Sequence, residues 1–326
     1  MILDNIKQEI EKANTIVLLT HEVPDGDAIG SSLAMYIALK RSGKQVDLII
    51  ENCPRVYNFL PCAKEMKEKS EIEQYDLAIA LDCSDIKRLN GFAAYFEKAK
   101  TRIVIDHHGS NTMFGDYNFV NPASPACAQI LVTVLEYIGI EIDKEIGTCL
   151  LAGIITDTGG FKYTNVTAET FEFVADLLNK GVNVSEVYKR VLQIVSRASF
   201  ELRRIAMNRL ELLEDGKITF TYITLDDMQK SNAELGDHEG IVEQGRDIEG
   251  VEVCVFLRET EKGDYKVSMR SNEYVNVADI CLMFGGGGHP KAAGCNINLP
   301  LEQAKEKILA QIKPYLKWNI ENLILL

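Results

Sequence analysis

In this chain of 326 residues, the types able to bind a metal sit at the ends of apolar runs. TIVLLTH (15–21) ends at His21, LAIALD at Asp82, RIVIDHH (102–108) at Asp106, His107 and His108, and LLAGIITD at Asp157. HEVPDGDAIG (21–30) adds Asp25 and Asp27 on either side of Gly26, a spacing that lets a tight turn present two carboxylates just before a helix begins. One such aspartate alone reads as a helix N-cap. Both together, preceded by histidine and proline and matched by the other ligand-tipped runs, ask for more than a cap. Asp25, Asp27, Asp82 and Asp157 with the imidazoles of His21 and His107 make a hard oxygen and nitrogen ligand set. Such a set suits manganese or magnesium more than the thiolate sites of structural zinc, with zinc, iron and cobalt as the other candidates. Four carboxylates balance two divalent ions, and two open cationic faces remain for a phosphate. Two ions about 3.5–4 Å apart lower the pKa of a shared water to roughly 7 and polarise a phosphoryl oxygen, so no nucleophilic serine or cysteine is required.

Residues this far apart in sequence converge only if the fold brings the ends of their runs together. TIVLLTH, VDLII (46–50), DLAIALD (76–82) and RIVIDHH are continuous apolar runs of the kind found in a parallel sheet covered on both faces. Between the first two, Asp27 to Arg41 reads as a helix stopped by Ser42 and Gly43. Two more helices are expected over 125–156, broken near Gly139 and Asp143, and another over 167–179 ending at Lys180 and Gly181. The strand and helix alternation predicts an α/β fold with a doubly wound, mainly parallel sheet, whose strand carboxyl ends form the ligand-binding edge. The pattern over 185–213 reads as helical and charge-rich, a connector. Beyond it, KITFTYI (217–223), VEVCVFLRE (251–259) and DYKVSMRS (264–271) read as strands, with helices near 276–283 and 301–315: a second, smaller α+β domain. The expected division is a catalytic domain over 1–190, a helical linker over 191–200 and a substrate domain over 201–326.

Composition sets limits. The 48 acidic and 35 basic residues give a net charge of −13, which argues against sequence-independent binding to long nucleic acid. A short anionic substrate stays open to it if metals supply local positive charge. The eight cysteines form no C-x-x-C pair and no zinc-like grouping, so a reduced, cytoplasmic protein is expected. The first residues lack a basic stretch followed by an apolar core, and no apolar run approaches the ~18 residues of a membrane span, so neither secretion nor a membrane partner is expected. His238, in GDHEGIVEQG, has no ligand-type neighbours of this kind and reads as an ordinary surface histidine.

HEVPDGDAIG, the Asp82 of LDCSD, the DHH triplet at 106–108 and the Asp157 of ITDTGGF resemble the four motifs of the DHH phosphoesterase superfamily, and MRS (269–271) with FGGGGHPKAAG (284–294) resembles its DHHA1 domain. Within the superfamily, the two-domain length and glycine loop are most similar to bifunctional oligoribonucleases (nanoRNases) that also act as 3′-phosphoadenosine 5′-phosphate (pAp) phosphatases. The resemblance implies two divalent ions, manganese first. His21, Asp25 and Asp82 would hold one, and Asp27, Asp82, His107 and Asp157 the other, with Asp82 as the bridge. It implies that His108 faces the scissile phosphate, where an imidazole stabilises charge or protonates the leaving oxygen. Asp106 completes the expected catalytic group, either orienting a histidine or simply ending a strand.

The run Gly285 to Gly288 reads in isolation as a flexible linker. Followed by His289, it equally reads as a backbone anion site. The resemblance places Arg270, Ser271, Gly287, Gly288 and His289 at the far end of a nucleotide. Lys291 reads as surface. The expected substrates are short single-stranded RNA, cut to mononucleotides, and pAp, converted to AMP, with long duplexes excluded and a homodimer as the commonest symmetric assembly. The rival readings are a linear or cyclic dinucleotide phosphodiesterase acting on pApA or c-di-AMP, an inorganic pyrophosphatase or exopolyphosphatase, and a nucleotide sensor without activity.

Overall fold

The computed structural model describes residues 2–323 except 52, 235 and 262, with side chains described to residue 316. The chain divides into two compact units, 1–194 and 195–326.

The first unit runs α1 (Ile2–Lys12), β1 (Thr15–Leu19), α2 (Gly26–Arg41), β2 (Gln45–Ile49), β3 (Leu77–Leu81), α3 (Ala93–Lys98), β4 (Thr101–Asp106), β5 (Tyr117–Val120), α4 (Cys127–Tyr137), α5 (Lys144–Asp157), α6 (Ala168–Asn179) and α7 (Val184–Tyr188). Its five strands are ordered β2-β1-β3-β4-β5 and every pair is parallel. Side chains alternate across the sheet. Ile16 and Leu18 of β1 join the core beneath α1, α2, α4 and α5, whereas Val17 and Leu19 join a second core with Phe96 of α3. Both faces are therefore covered, which is why these strands are apolar throughout. The doubly wound α/β expectation holds.

Helix α2 is buried on all sides from Gly26 to Leu39. Its packing on α5 depends on missing side chains. A Cβ on Gly30 would overlap the Cys149 carbonyl oxygen, and one on Gly153 would stand 2.6 Å from Asp27 Oδ1. This close approach brings the start of α2 beside the end of α5. As expected for 125–156, LLAGIITD is helical, the last part of α5, so Asp157 arrives at the sheet edge on the final residue of a helix and not on a strand end.

The second unit contains α8 (Arg197–Asn208), β6 (Glu211–Leu213), β7 (Ile218–Ile223), α9 (Leu225–Lys230), α10 (Ile241–Arg246), β8 (Val253–Glu261), β9 (Asp264–Ser271), α11 (Val277–Leu282), β10 (Gly287–His289), β11 (Ala292–Asn298) and α12 (Leu301–Leu323). The connector expected to be helical to residue 213 ends at Asn208, and Glu211–Leu213 instead pairs antiparallel with β7. Strand order is β10-β11-β9-β8-β7-β6, antiparallel except for β7 beside β8. Val253, Val255 and Leu257 pack under α11 and α12, while Cys254 and Phe256 pack with α8 and α10. The α+β expectation for this half is met. Among the described residues, no helix is long and apolar enough to cross a membrane.

Candidate metal centre

Three interlocking groups of ligand atoms form at the carboxyl edge of the first unit's sheet: His21, Asp25 and Asp82; Asp27, His107 and Asp157; and Asp82, His107 and His108. Within each group the ligand atoms lie within 4.8 Å of one another. All six residues expected to bind metal are present, and Asp82 and His107 join the groups together. His107 Nε2 is 3.4 Å from Asp82 Oδ1, 3.2 Å from Asp157 Oδ2 and 3.9 Å from Asp27 Oδ2. His21 Nε2 is 3.8 Å from Asp82 Oδ2 and 3.9 Å from Asp25 Oδ2.

The two aspartates around Gly26 turn out to do different jobs. Asp25 is the N-cap of α2, its Oδ1 accepting from the N–H groups of Asp27 and Ala28 at 3.1 Å, while it also belongs to a group that could hold a metal. Its side chain stays 57% exposed at the mouth of the site. Asp27 is sealed at the bottom. It accepts from the Cys127 N–H at 2.5 Å, the Ala128 N–H at 2.9 Å and Ser31 Oγ at 3.2 Å, so the first turn of α4 aims its amides at this carboxylate.

Asp82 follows β3 in the left-handed region, with φ of 53°. Aspartate tolerates that conformation better than most residues, but it still has to be held there, and such positions cluster at functional sites. Its amide is fixed by the Ile105 carbonyl at 3.0 Å. Behind His107, the Ser124 carbonyl lies 3.3 Å from Nδ1, which leaves Nε2 toward the carboxylates. Asp106 ends β4 and also touches a histidine: Oδ1 meets His108 Nδ1 at 2.7 Å, and Oδ2 accepts from Asn111 Nδ2 at 2.6 Å.

Electrostatics fit a cation. Asp82 Oδ1 and His21 Nδ1 are buried with no hydrogen-bond partner, and among the described residues no lysine or arginine makes an ion pair with the four carboxylates. Uncompensated buried charge of this kind is expensive. Burial, reinforced by the Asp82 and Asp157 charges, pushes the Asp27 carboxyl well above its ordinary range. His107 behaves oppositely. Burial works against its charged form, but the close Asp157 and Asp82 carboxylates prevail and push it up to about 12. Hydrogen bonding to Asp106 likewise raises His108. Protons thus stand where divalent ions would satisfy the same carboxylates.

Sequence reasoning missed the supports of this site: Ser31, Asn111, the Ser124 carbonyl and the α4 amides. Asn165 belongs with them, since Nδ2 donates to the Pro125 carbonyl at 3.3 Å and the Asp157 carbonyl at 3.2 Å. These contacts use backbone groups or single polar residues on distant segments, which leave no local pattern to read.

In the second unit, Arg270 of β9 pairs with Ala292 of β11, and Ala292 with His289 of β10. Cross-strand partners share a face, so Arg270 and His289 flank one small alanine. Arg270 Nε donates to Glu243 Oε1 at 2.9 Å and Nη1 to the Met269 carbonyl at 3.1 Å. Gly287 and Gly288 are strand residues, and Gly288, with φ of 144°, leaves no room for a Cβ, which would sit 2.6 Å from the Ala292 oxygen. The glycine run is an ordered hairpin edge. Ser271 occupies the opposite face, where its buried hydroxyl donates to the Val275 carbonyl at 2.6 Å and ties the hairpin down. Lys291 is exposed, its Nζ 2.5 Å from the Glu273 carbonyl. His238 departs from the surface expectation: Nδ1 is buried without a partner and the ring stacks on Phe256.

The comparisons agree with this geometry. Residues 15–154 match the model of the DHH family, N-terminal domain, and residues 215–317 that of the DHHA1 domain. The chain is 36% identical over 300 residues to the bifunctional oligoribonuclease and PAP phosphatase NrnA of Thermus thermophilus, covering 91% of this chain and 89% of that protein. A probable bifunctional oligoribonuclease and PAP phosphatase NrnA of Streptococcus mutans is 24% identical, covering 96% and 98% of the two chains. Among solved structures, an exopolyphosphatase-related protein from Bacteroides fragilis superposes with a TM-score of 0.90 at 27% identity, covering 97% of each chain. With ligand-tipped runs, a parallel sheet that gathers them and full-length similarity to these proteins, the chain belongs to the DHH family and carries both its DHH and DHHA1 domains.

Proposed function

We propose that this protein is a phosphoesterase that uses two divalent ions, manganese first, to hydrolyse short single-stranded oligoribonucleotides to mononucleotides and pAp to AMP. The observation that carries the reading is the linked set of ligand groups around Asp82, whose buried Oδ1 makes no hydrogen bond among the described residues. Similarity to the Thermus thermophilus protein supports the substrate class.

His21, Asp25 and Asp82 would hold one ion, and Asp27, Asp82, His107 and Asp157 the other. Bound there, such ions supply an activated water and positive charge for the phosphoryl oxygens. The chain's own residues do the rest. Asp27, locked by the α4 amides, and Asp157, fixed through its carbonyl by Asn165, keep their carboxylates at a set separation. His108, kept charged by Asp106, donates a proton from Nε2 to the leaving oxygen. Arg270 and His289, with the Gly287 and Gly288 backbone, bind the remaining phosphate of the nucleotide, and Ser271 holds that hairpin in shape. Arg270 and His289 are sparse for a bare polyphosphate, which favours a nucleotide. With a net charge of −13, the protein has little means to hold a long duplex.

The test is a product assay with purified protein and manganese on pAp, pApA, a five-nucleotide RNA, a cyclic dinucleotide, pyrophosphate and polyphosphate. AMP from pAp together with mononucleotides from the RNA is the expected result. Turnover of pyrophosphate or polyphosphate alone overturns the reading, and tight pAp binding without phosphate release at saturating manganese would make the protein a sensor.

A further inference from the structure

The face of the second unit's sheet that packs against α8 and α10 continues past its apolar core into a group of cations without counterions. On β8 the side chains on this face run Cys254, Phe256, Arg258. Their cross-strand partners on β9 are Arg270, Ser268 and Lys266, so Arg258 and Lys266 stand directly opposite each other. Like charges in that position repel, and sheets ordinarily avoid the pairing. Neither side chain makes an ion pair or hydrogen bond among the described residues, and Arg258 Nε is buried with no partner. Next to them, the His238 ring stacks on Phe256 at 6.5 Å between centroids and 28° between planes, and its Nδ1 is also buried and unpartnered. The carboxylate that bears on His238, Asp237, is already engaged: Oδ1 accepts from Ser196 at 2.6 Å and Oδ2 from the Glu234 N–H at 2.8 Å. Two cations and an imidazole therefore share one patch with no carboxylate paired to them among the described residues.

We propose that Arg258, Lys266 and His238 form an oxyanion-binding site for a phosphate group, separate from the row made by Arg270 and His289. Four residues divide Arg258 from Cys254, the partner of Arg270, which is about 13 Å along the strand, too far for one phosphate to span. The chemistry suits the ligand. A guanidinium and an ammonium supply charge, and the imidazole, whose pKa burial and then the Arg258 and Lys266 charges lower to about 4, stays neutral and offers a single N–H. An anion there would offset the charge of Arg258 and Lys266 and end the repulsion between the two cations. This site does not depend on the metal centre or on the substrate proposed for it.

The test is a titration of the full-length, magnesium-loaded protein, labelled with nitrogen-15 at its five histidines, followed by the imidazole resonances. With inorganic phosphate, the His238 signals are expected to shift and saturate, while Arg258→Gln weakens binding about tenfold or more, the worth of one charge-assisted hydrogen bond. Lys266→Gln, an exposed position that carries the test if the Arg258 variant fails to fold, is expected to weaken it about threefold. Both variants should hydrolyse pAp at the parent rate. AMP as a second probe separates the sources: saturation by AMP assigns the site to phosphate esters, and saturation by inorganic phosphate alone assigns it to the free anion. His238 signals that stay fixed up to about 20 mM phosphate, well above a millimolar dissociation constant, would overturn the proposal, as would an unchanged titration in folded Arg258→Gln.

Discussion

Asp27, Asp82, His107 and Asp157 of the first unit's candidate centre are each held by a contact from behind, whereas the candidate anion row of the second unit lies on an edge hairpin with His289 exposed. In the first, carboxylates from β3, α2 and α5 are driven together without cations to neutralise them, and helix amides, a serine carbonyl and two asparagines keep them in place. In the second, a guanidinium and an imidazole flank an alanine, and Glu243, the Met269 carbonyl and the strand ladder position them. The contrast separates two kinds of recognition. A buried cluster of like charges is complete only with its ions, so losing one member should disable the whole. A shallow row of neutral and cationic donors contributes increments, so losing one member should only weaken binding.

The largest effect tests the shared bridge. Asp82→Ala is expected to abolish activity and to lower manganese affinity at both sites by more than about 100-fold, since even residues behind a metal ligand are worth 10–100-fold. Equilibrium dialysis that still finds two tightly bound manganese ions would break the comparison. Next is Asp106→Asn, which removes the charge that raises His108. Here kcat should fall about 100-fold, the typical worth of a general acid, with both metals retained. The sign in pH follows: His108 donates only when protonated, a raised pKa extends activity to alkaline pH, and the variant's alkaline limb should move to lower pH. A limb that stays put would remove His108 from the acid role.

Gly30→Ala tests the support of the cluster. Alanine is worth up to about 1 kcal/mol more than glycine in a helix interior, but here its methyl meets the Cys149 backbone oxygen, which has no rotamer to escape into. Overpacking wins, and a net loss of about 1–3 kcal/mol is expected in thermal unfolding, with weaker manganese binding because α2 carries Asp27. An unchanged melting temperature would show that α2 and α5 can separate freely. The smallest effect belongs to the second unit. His289→Ala should raise KM for pAp about tenfold, near 1.4 kcal/mol, with kcat and the hydrolysis of a small generic phosphodiester little changed. Equal losses on both substrates would show that His289 is not a nucleotide contact.

Much of this was legible in the residues. The runs at β1, β2, β3 and β4 declare strands because burial on both faces demands continuous apolar character, and the helix over 26–41 is announced by Asp25 before it and Ser42 and Gly43 after it. Ligand types stand out against an apolar background, so His21, Asp82, His107 and Asp157 could be picked without a structure. Other features were not legible. The close packing of α5 on α2, which carries Asp157 to the sheet edge, has no signature in the residues. Ser271 adjoins Arg270 in sequence but lies on the other side of the strand, because side chains alternate. His238 looked exposed because no ligand group or glycine turn of the expected kind surrounds it in sequence, and its stacking on Phe256 is a contact between distant segments.

By itself the sequence determined the chemistry available to this protein: hard ligands at the ends of runs, glycines where backbones must approach, and a negative charge that only bound cations could turn toward a phosphate. The tertiary structure decided which atoms do which work. It made Asp25 a cap with its second oxygen still toward the candidate centre, turned the α4 amides onto Asp27, set Asp106 behind His108 and left Asp82 Oδ1 without a hydrogen bond among the described residues. Residue type follows from the one-dimensional string, but hydrogen bonds between segments up to a hundred residues apart exist only after the sheet has formed and closed the distance.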